Sequence, residues 1–192
     1  MIDELAHLAG RDPLDFRVQN ARDPRHVEVL RRVGEMSGWT KRERVKGRGL
    51  GVALVEGFGS IVGEAIEVSV KDKSVTVHDV WCAVDCGTAV HPNGVAAQLE
   101  SAVMFGLSAA CFQEINIAGG RVVQSSFEDY PILRIDQAPS VHVAIVDSGA
   151  KIGGIGEAGV PAAAPALTNA IFAACGTRIR SLPLRKSGWQ VV

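Results

Sequence analysis

The chain has 192 residues, enough to bury a substantial core in one domain with or without a small appendage. Apolar content is 47%, and the formal net charge of −1 gives no electrostatic case for binding nucleic acid or an anionic membrane. The unbroken apolar runs are shorter than a bilayer span, and the acidic start predicts no secretory signal. Cytoplasm and periplasm both remain open as the compartment.

Short helices are predicted at the start of the chain. Residues 2–9 form a helix candidate that Gly10 would end. Asp12 and Asp23 each precede a proline, a pattern typical of an N-cap followed by the first helical residue. Apolar side chains at helical spacing across residues 27–36 predict one apolar helix face.

A charged run at residues 41–48 is predicted to be a solvated linker. It divides the chain into a helical segment with its linker, residues 1–46, and a larger domain, residues 47–192.

Three strands rich in β-branched residues are predicted at residues 50–55, 61–70 and 75–84. Turn-forming residues at 71–74 predict a hairpin between the second and third strands. Apolar and polar residues alternate at 66–70, which is typical of a half-buried strand.

A long apolar helix is predicted at residues 95–112. One face of it carries a stripe without Lys or Glu, which favours a pocket lining over a solvated face: Gln98, Ser101, Phe105 and Ser108. A small hairpin at 114–125, a strand at 141–146 and a last strand at 177–184 are also predicted. The cysteines lack metal-ligand spacing and are interpreted as small buried thiols, with no metal ligand assigned: Cys82, Cys86, Cys111 and Cys175.

Residues 151–175 carry the clearest chemical signal, because Glu157 stands among four glycines and precedes an apolar helix candidate that starts near Val160. The glycines are Gly153, Gly154, Gly156 and Gly159. Glycine adopts backbone angles that other residues avoid and lets a ligand approach the main chain. The positive end of the following helix would favour an ionised carboxylate.

Three interpretations of this loop compete. Glu157 could cap the helix within a purely structural turn, or it could be a general base in a pocket. The spacing of Gly154, Gly156 and Gly159 also fits a dinucleotide-binding fingerprint, but no acidic residue follows Glu157 to bind a ribose. Composition alone does not separate the first two interpretations.

The order of elements predicts an α+β fold: a mixed sheet packed by two long apolar helices, with a short N-terminal helical segment. Four motifs, in this order, resemble the molybdopterin-binding large subunit of the xanthine dehydrogenase/aldehyde oxidase family, in particular its isoquinoline 1-oxidoreductase-like and aldehyde dehydrogenase-like beta subunits. They are VDCG at 84–87, AQLE at 97–100, FEDYP at 127–131 and GIGE at 154–157.

That resemblance implies a molybdenum enzyme that hydroxylates a small-molecule substrate, an aldehyde or N-heterocycle, with oxygen from water. Iron–sulfur clusters on another subunit or domain would carry the electrons away. By position in the motifs, Glu157 corresponds to the family's catalytic base and Gln98 to its cofactor-contacting glutamine. The backbone around Gly154, Gly156 and Gly159 would lie near the cofactor.

Some positions depart from the family pattern. Ala158 stands where proline is usual, Ser101 where glycine is common, and His91 where asparagine is usual.

Because the family's large subunit is several times longer, we expect this chain to be a C-terminal portion that needs the remaining part of the large subunit and an iron–sulfur small subunit. We expect the isolated chain to bind no molybdopterin and to self-associate through an exposed apolar interface. A non-catalytic remnant or assembly module of the same fold is the alternative.

Overall fold

The computed structural model describes residues 1–43 and 45–192, and within them the fold is α+β, as predicted. The helices are α1 (Ile2–Leu8), α2 (Pro13–Asn20), α3 (Pro24–Ser37), α4 (Pro92–Cys111), α5 (Val160–Cys175) and a 3₁₀ helix (Leu184–Ser187). The strands are β1 (Arg48–Gly57), β2 (Ser60–Lys71), β3 (Ser74–Asp85), β4 (Ile117–Ala118), β5 (Arg121–Val122), β6 (Ser140–Ile145) and β7 (Gln190–Val191).

The main sheet is mixed, with strand order β1-β2-β3-β6 and β7 paired to the start of β3. Strands β1, β2 and β3 form an antiparallel meander, and left-handed residues Asp72 and Lys73 form the predicted turn between β2 and β3. Strand β6 runs parallel to β3, since α4 carries the chain back across the sheet.

Helices cover both faces of this sheet. Helix α3 packs on β2 and β3, whereas α5 packs on β1 and β2 from the other side and α4 packs beside it. Strand β2 is consequently buried at every position from Ser60 to Val68. The predicted half-exposed alternation is therefore wrong for Glu67, which is 8% exposed and bonds to Arg42 at 2.6 Å.

Local signals at the N-terminal helices are confirmed. The side chain of Asp12 accepts a hydrogen bond from the Leu14 backbone N–H at 2.8 Å, and Asp23 does the same for Arg25. Gly38 ends α3 in the left-handed conformation, with φ +62°. Of the predicted linker at 41–48, Arg44 lies outside the described residues, and β1 already begins at Arg48.

The last predicted strand, at 177–184, is wrong. That segment carries no strand, and the 3₁₀ helix and then β7 follow it. The Arg178 and Arg180 side chains pair with Asp3 and Glu4 of α1, so the segment lies beside the N-terminal helices and not in the sheet. Cys175 is exposed, against the prediction, while the other three cysteines are buried.

Helix α4 has the length and composition of a membrane span, although its unbroken apolar runs are shorter. Its most apolar 18-residue window has a mean hydropathy of 1.3, and half of that window is buried inside the protein. A buried core helix meets the same criterion, so this is weak evidence for a span.

Glycines on β1 determine how closely α5 approaches the sheet. A Cβ on Gly51 would lie 2.1 Å from the backbone N of Ala170, and one on Gly49 would lie 2.2 Å from the carbonyl O of Ala170. Asn169 of α5 also donates a hydrogen bond to the carbonyl of Val52 at 3.1 Å. The helix thus rests directly on the strand backbone, with no side chain between them.

We predict that Gly51→Ala destabilises the fold by about 1–3 kcal/mol, because the added methyl group must push α5 away from β1. Gly57→Ala, on the same strand, is the matched control, because a Cβ there meets no atom within 4 Å. Urea unfolding of both variants measures the difference. Equal costs at the two positions would contradict the close α5–β1 contact.

Candidate functional site

The glycine loop, residues 146–159 between β6 and α5, is hydrogen-bonded across one end of the sheet. The Gly153 backbone N–H donates to the Cys86 carbonyl at 2.9 Å, and the Gly154 N–H donates to the Phe58 carbonyl at 2.8 Å. The Ser60 hydroxyl donates to the Gly154 carbonyl at 2.7 Å. The loop is therefore held where the β1–β2 turn meets the end of β3.

The glycines of this loop serve close approach. A Cβ on Gly153 would lie 2.5 Å from the Ser60 hydroxyl, and one on Gly159 would lie 3.0 Å from the Ala102 Cβ. Gly153, Gly154, Gly156 and Gly159 all lie outside the left-handed region, so the predicted need for unusual backbone angles is not met there. A Cβ on Gly156 would meet nothing within 4 Å, which leaves that backbone open to a ligand.

Glu157 is exposed and lines an open cavity of about 340 Å³ together with Phe58, Gly154 and Gly156. The N-cap of α5 is Gly159, and no side chain caps the helix. The interpretation of Glu157 as a helix cap is therefore wrong. The long loop between β6 and α5 also differs from the tight strand-to-helix turn of a dinucleotide fingerprint.

Gln98 lies exposed on α4, and the next residue, Leu99, packs against the end of the glycine loop at Gly159. The structure thus brings the helical turn that carries Gln98 to this loop. Gln98 and Gly159 are absent from the described residues that line the cavity at Glu157.

The predicted pocket-lining stripe on α4 divides into two parts. Ser101 and Phe105 are exposed to solvent, like Gln98, and do not line a closed pocket in this chain. Ser108 is buried, and its hydroxyl accepts a hydrogen bond from the Leu133 N–H at 3.1 Å, which is a structural contact.

Two of the positions that depart from the family pattern have structural roles. Ala158 is buried in the cluster that contains Leu99 and Cys82. The side chain of His91 accepts a hydrogen bond from the Gly94 N–H at 2.7 Å and so caps α4. Among the described residues, no group of three or more His, Cys, Asp or Glu side chains could hold a metal ion.

Asp85 of the VDCG motif connects the glycine loop to the rest of the fold through buried hydrogen bonds. Its fully buried carboxylate accepts hydrogen bonds from Arg25 at 2.7 and 2.9 Å, from the Ser148 hydroxyl at 2.8 Å and from the Gly87 N–H at 3.0 Å. Burial alone would raise the pKa of Asp85, but these hydrogen bonds outweigh it and the pKa is lowered. The ionised carboxylate therefore joins α3, the end of β3 and the start of the glycine loop.

Sequence reasoning missed Phe58. This aromatic residue is 63% exposed and has φ +58°, an unusual backbone conformation for a bulky side chain. It lies in the β1–β2 turn and lines the cavity at Glu157. The available signal was an apolar residue between two glycines in a predicted break, which is an uncommon turn composition.

Sequence reasoning also missed Glu64, a fully buried residue of β2 that lies beneath the glycine loop. A Cβ on Gly159 would lie 3.4 Å from its Oε1. Neither carboxyl oxygen has a hydrogen-bond partner among the described residues. Burial raises the pKa of Glu64 well above its ordinary value, because removing the carboxyl from water disfavours its charged form. A glutamate inside an apolar run was the available signal.

We predict that Glu64 makes stability fall as the pH rises. A carboxyl with a raised folded-state pKa contributes stability that is complete below its ordinary pKa of 4.5 and is lost as the pH rises towards the folded-state pKa. In Glu64→Gln this dependence should vanish, so that the variant gains about 1.4 kcal/mol over the wild type per pH unit in that window. Chemical unfolding across the pH range tests this, with exposed Glu28→Gln as control. Parallel pH profiles for wild type and Glu64→Gln would contradict it.

Comparison with known proteins agrees with the motifs. A molybdopterin cofactor-binding domain family matches residues 58–139, a span that includes Gln98 and ends before the glycine loop. The isoquinoline 1-oxidoreductase subunit beta of Brevundimonas diminuta is 35% identical over 96% of this chain and 24% of its own length. A membrane-bound aldehyde dehydrogenase (pyrroloquinoline-quinone) of Gluconacetobacter polyoxogenes is 32% identical over 96% of this chain and 26% of its own length. The chain thus spans about a quarter of these relatives.

Solved structures show the same fold. The aldehyde oxidoreductase from Desulfovibrio desulfuricans superposes with a TM-score of 0.81 at 14% identity, over 95% of this chain and 38% of that one. Quinoline 2-oxidoreductase from Pseudomonas putida gives a TM-score of 0.60 at 21% identity, over 65% of this chain and 17% of that one. These structures show the shared fold, and the matching family model and the relatives show that the chain belongs to the molybdopterin-binding domains of the xanthine dehydrogenase/aldehyde oxidase family.

Proposed function

We propose that this chain supplies the glycine-loop side of the active site in a molybdenum hydroxylase that oxidises an aldehyde or an N-heterocycle. The observation that carries the proposal is the cavity at the end of the sheet, which the Glu157 side chain lines together with Gly154 and the open backbone of Gly156. The names of the relatives, which refer to isoquinoline, an aldehyde and nicotinate, support this substrate class.

The residues present fit one side of a molybdopterin site. A Cβ on Gly156 would meet no protein atom within 4 Å, so its main chain is free to contact a large ligand. Gly154 would lie beside it in the cavity, Gly159 would hold the end of the loop against α4, and Gln98 would contribute a side-chain amide from α4. When bound, the cofactor supplies a two-electron acceptor and the site at which water-derived oxygen is delivered to the substrate carbon.

In this proposal Glu157 is the general base. Its carboxylate stands at an open cavity on a loop whose backbone is fixed by hydrogen bonds to Cys86 and Phe58. A base must lie within hydrogen-bond reach of the proton that it removes, and a fixed loop keeps it there. Phe58 lines the same cavity, and in this proposal its exposed ring holds a flat apolar substrate.

The proposed enzyme is larger than this chain. We propose that residues 47–192 are the C-terminal part of the molybdopterin-binding domain and that residues 1–46 are a helical segment attached to it. The remaining part of the large subunit would close the cavity, and an iron–sulfur small subunit would remove electrons. Large exposed apolar side chains support a covered or self-associating surface: Phe58, Val90, Phe105, Phe127 and Ile152.

A non-catalytic remnant or assembly module is the second candidate. The openness of the cavity favours it, because Glu157 and Gln98 are both exposed in this chain. Turnover by a complex that contains this chain distinguishes the two candidates.

We predict that Glu157→Gln in the reconstituted complete enzyme lowers kcat by about 10²–10⁴-fold, because a general base contributes on that order. Molybdenum and pterin content should stay at the wild-type level, since the amide keeps the shape of the loop. Glu35→Gln, on the exposed face of α3, is the matched control and should keep full turnover. Normal turnover in Glu157→Gln would refute its role as base.

We predict further that the isolated chain binds no molybdopterin and has no turnover, because it encloses only one side of the cavity. Elemental analysis and pterin fluorescence of the purified chain measure this. Stoichiometric molybdenum in that material would show that this chain alone forms a complete site.

A further inference from the structure

A second and larger cavity lies at the outer edge of the sheet, beside β1. Its volume is about 600 Å³, and its walls come from α1, α2, α3, β1, the middle of α5 and the segment after α5. Among the described residues it shares no lining residue with the cavity at Glu157. A volume of this size is typical of small-molecule sites.

The polar side of this cavity is strongly cationic. Four arginines line it: Arg17, Arg22, Arg178 and Arg180. The described lining includes one carboxylate, Glu4, and the buried Asp3 lies behind it within reach of two of the arginines. Arginines thus outnumber carboxylates in the described lining of this cavity.

The arginines differ in how far their charges are already used. Arg178 bonds Asp3 at 2.7 Å through Nη1, and its buried Nη2 is closed off from the cavity by protein atoms. Arg17 reaches the same carboxylate only at 3.7 Å. Burial lowers the pKa of Arg17, and the nearby charge of Arg178 lowers it further against the opposing pull of Asp3 and Asp12. Because burial is the main cause of this shift, an anion in the cavity would give the buried Arg17 guanidinium a further partner.

The remaining wall is apolar. It is formed by side chains from α3, β1, α5 and the segment after α5: Leu30, Ala53, Leu54, Pro165 and Ile179. Apolar walls with a few converging charged groups suit a ligand that has a hydrocarbon body and one charged end. A fully polar anion such as phosphate would leave those walls unused.

We propose that this cavity binds a small apolar acid, a compact aliphatic or aromatic body that carries one carboxylate or comparable anionic group. The arginines hold the anionic end, and the β1–α5 wall holds the body. This site is independent of the chemistry at Glu157 and does not rest on it.

Titration calorimetry of the purified chain with octanoate tests the proposal, with octylamine and inorganic phosphate as comparison ligands. We expect saturable binding of octanoate that weakens as salt is added, and at least tenfold weaker binding of the other two. Saturable octylamine binding of equal strength, or no octanoate binding to the folded chain, would overturn the proposal.

Two variants and a matched control locate the site. Arg22→Gln with Arg180→Gln removes two cations and leaves Glu4 paired only with the N-terminal ammonium of Met1, so octanoate should bind at least about tenfold more weakly. Arg31→Gln with Arg32→Gln removes the same charge from the exposed face of α3 and should leave the affinity unchanged. An equal loss in both double variants would reduce the effect to net charge and refute the cavity as its origin.

Thr168→Tyr gives a test that does not depend on charge, because it fills part of the cavity from α5. Octanoate affinity should fall about tenfold or more, while the melting temperature of the unliganded variant should equal that of the wild type. Unchanged affinity would count against this cavity. If sedimentation instead shows a dimer that Thr168→Tyr abolishes, the cavity is a contact between copies of the chain, and the small-ligand assignment fails.

Discussion

The buried carboxylate of Asp85 is the interaction on which the arrangement of the site depends. It collects hydrogen bonds from the guanidinium of Arg25, the hydroxyl of Ser148 and the backbone of Gly87. Removing a partner from a buried charge is far more costly than losing a surface ion pair, because the remaining charge stays out of water. One ionised group therefore fixes an N-terminal helix, the last residue of a central strand and the approach to the glycine loop relative to one another.

On the other side of the sheet, the close contact between α5 and β1 fixes the position of α5. Gly49 and Gly51 let the helix lie on the strand backbone, and Gly159 lets the start of the same helix pack on α4. Because the start of α5 follows Glu157 directly, the position of the carboxylate is set by packing in the core. The exposed site thus rests on a rigid base even though its own side chains face solvent.

Local features of the fold could be predicted from the sequence, and distant ones could not. The aspartate–proline caps at Asp12 and Asp23 and the turn at Asp72 depend on neighbouring residues, so their signals lie within a few positions. The pairing of Arg25 with Asp85 spans 60 residues, and composition gives no sign of it. The strand wrongly predicted at 177–184 is a second example. Arg178 and Arg180 of that segment pair with residues of α1, at the other end of the chain, and the local sequence gives no sign of this.

The candidate site divides in the same way. Glycine spacing and motif order predict Glu157 as a site residue, and the structure shows its side chain at a cavity with no capping hydrogen bond to α5. The position of Phe58 at the cavity and of the buried Glu64 beneath the loop depends on bringing β2 and its turn against residues almost a hundred positions away. Tertiary contacts, not local sequence, decide which side chains share that space.

The backbone hydrogen bonds of the glycine loop bear on the entropy of ligand binding. The hydrogen bonds of Gly153 and Gly154 order this part of the loop when the domain folds. The backbone of Gly156 remains accessible from the cavity. A ligand that binds there contacts a loop that is already ordered, so little binding free energy is lost to the entropic cost of ordering it. The freedom that remains belongs to the Glu157 side chain, whose few torsions can adjust without disturbing the sheet.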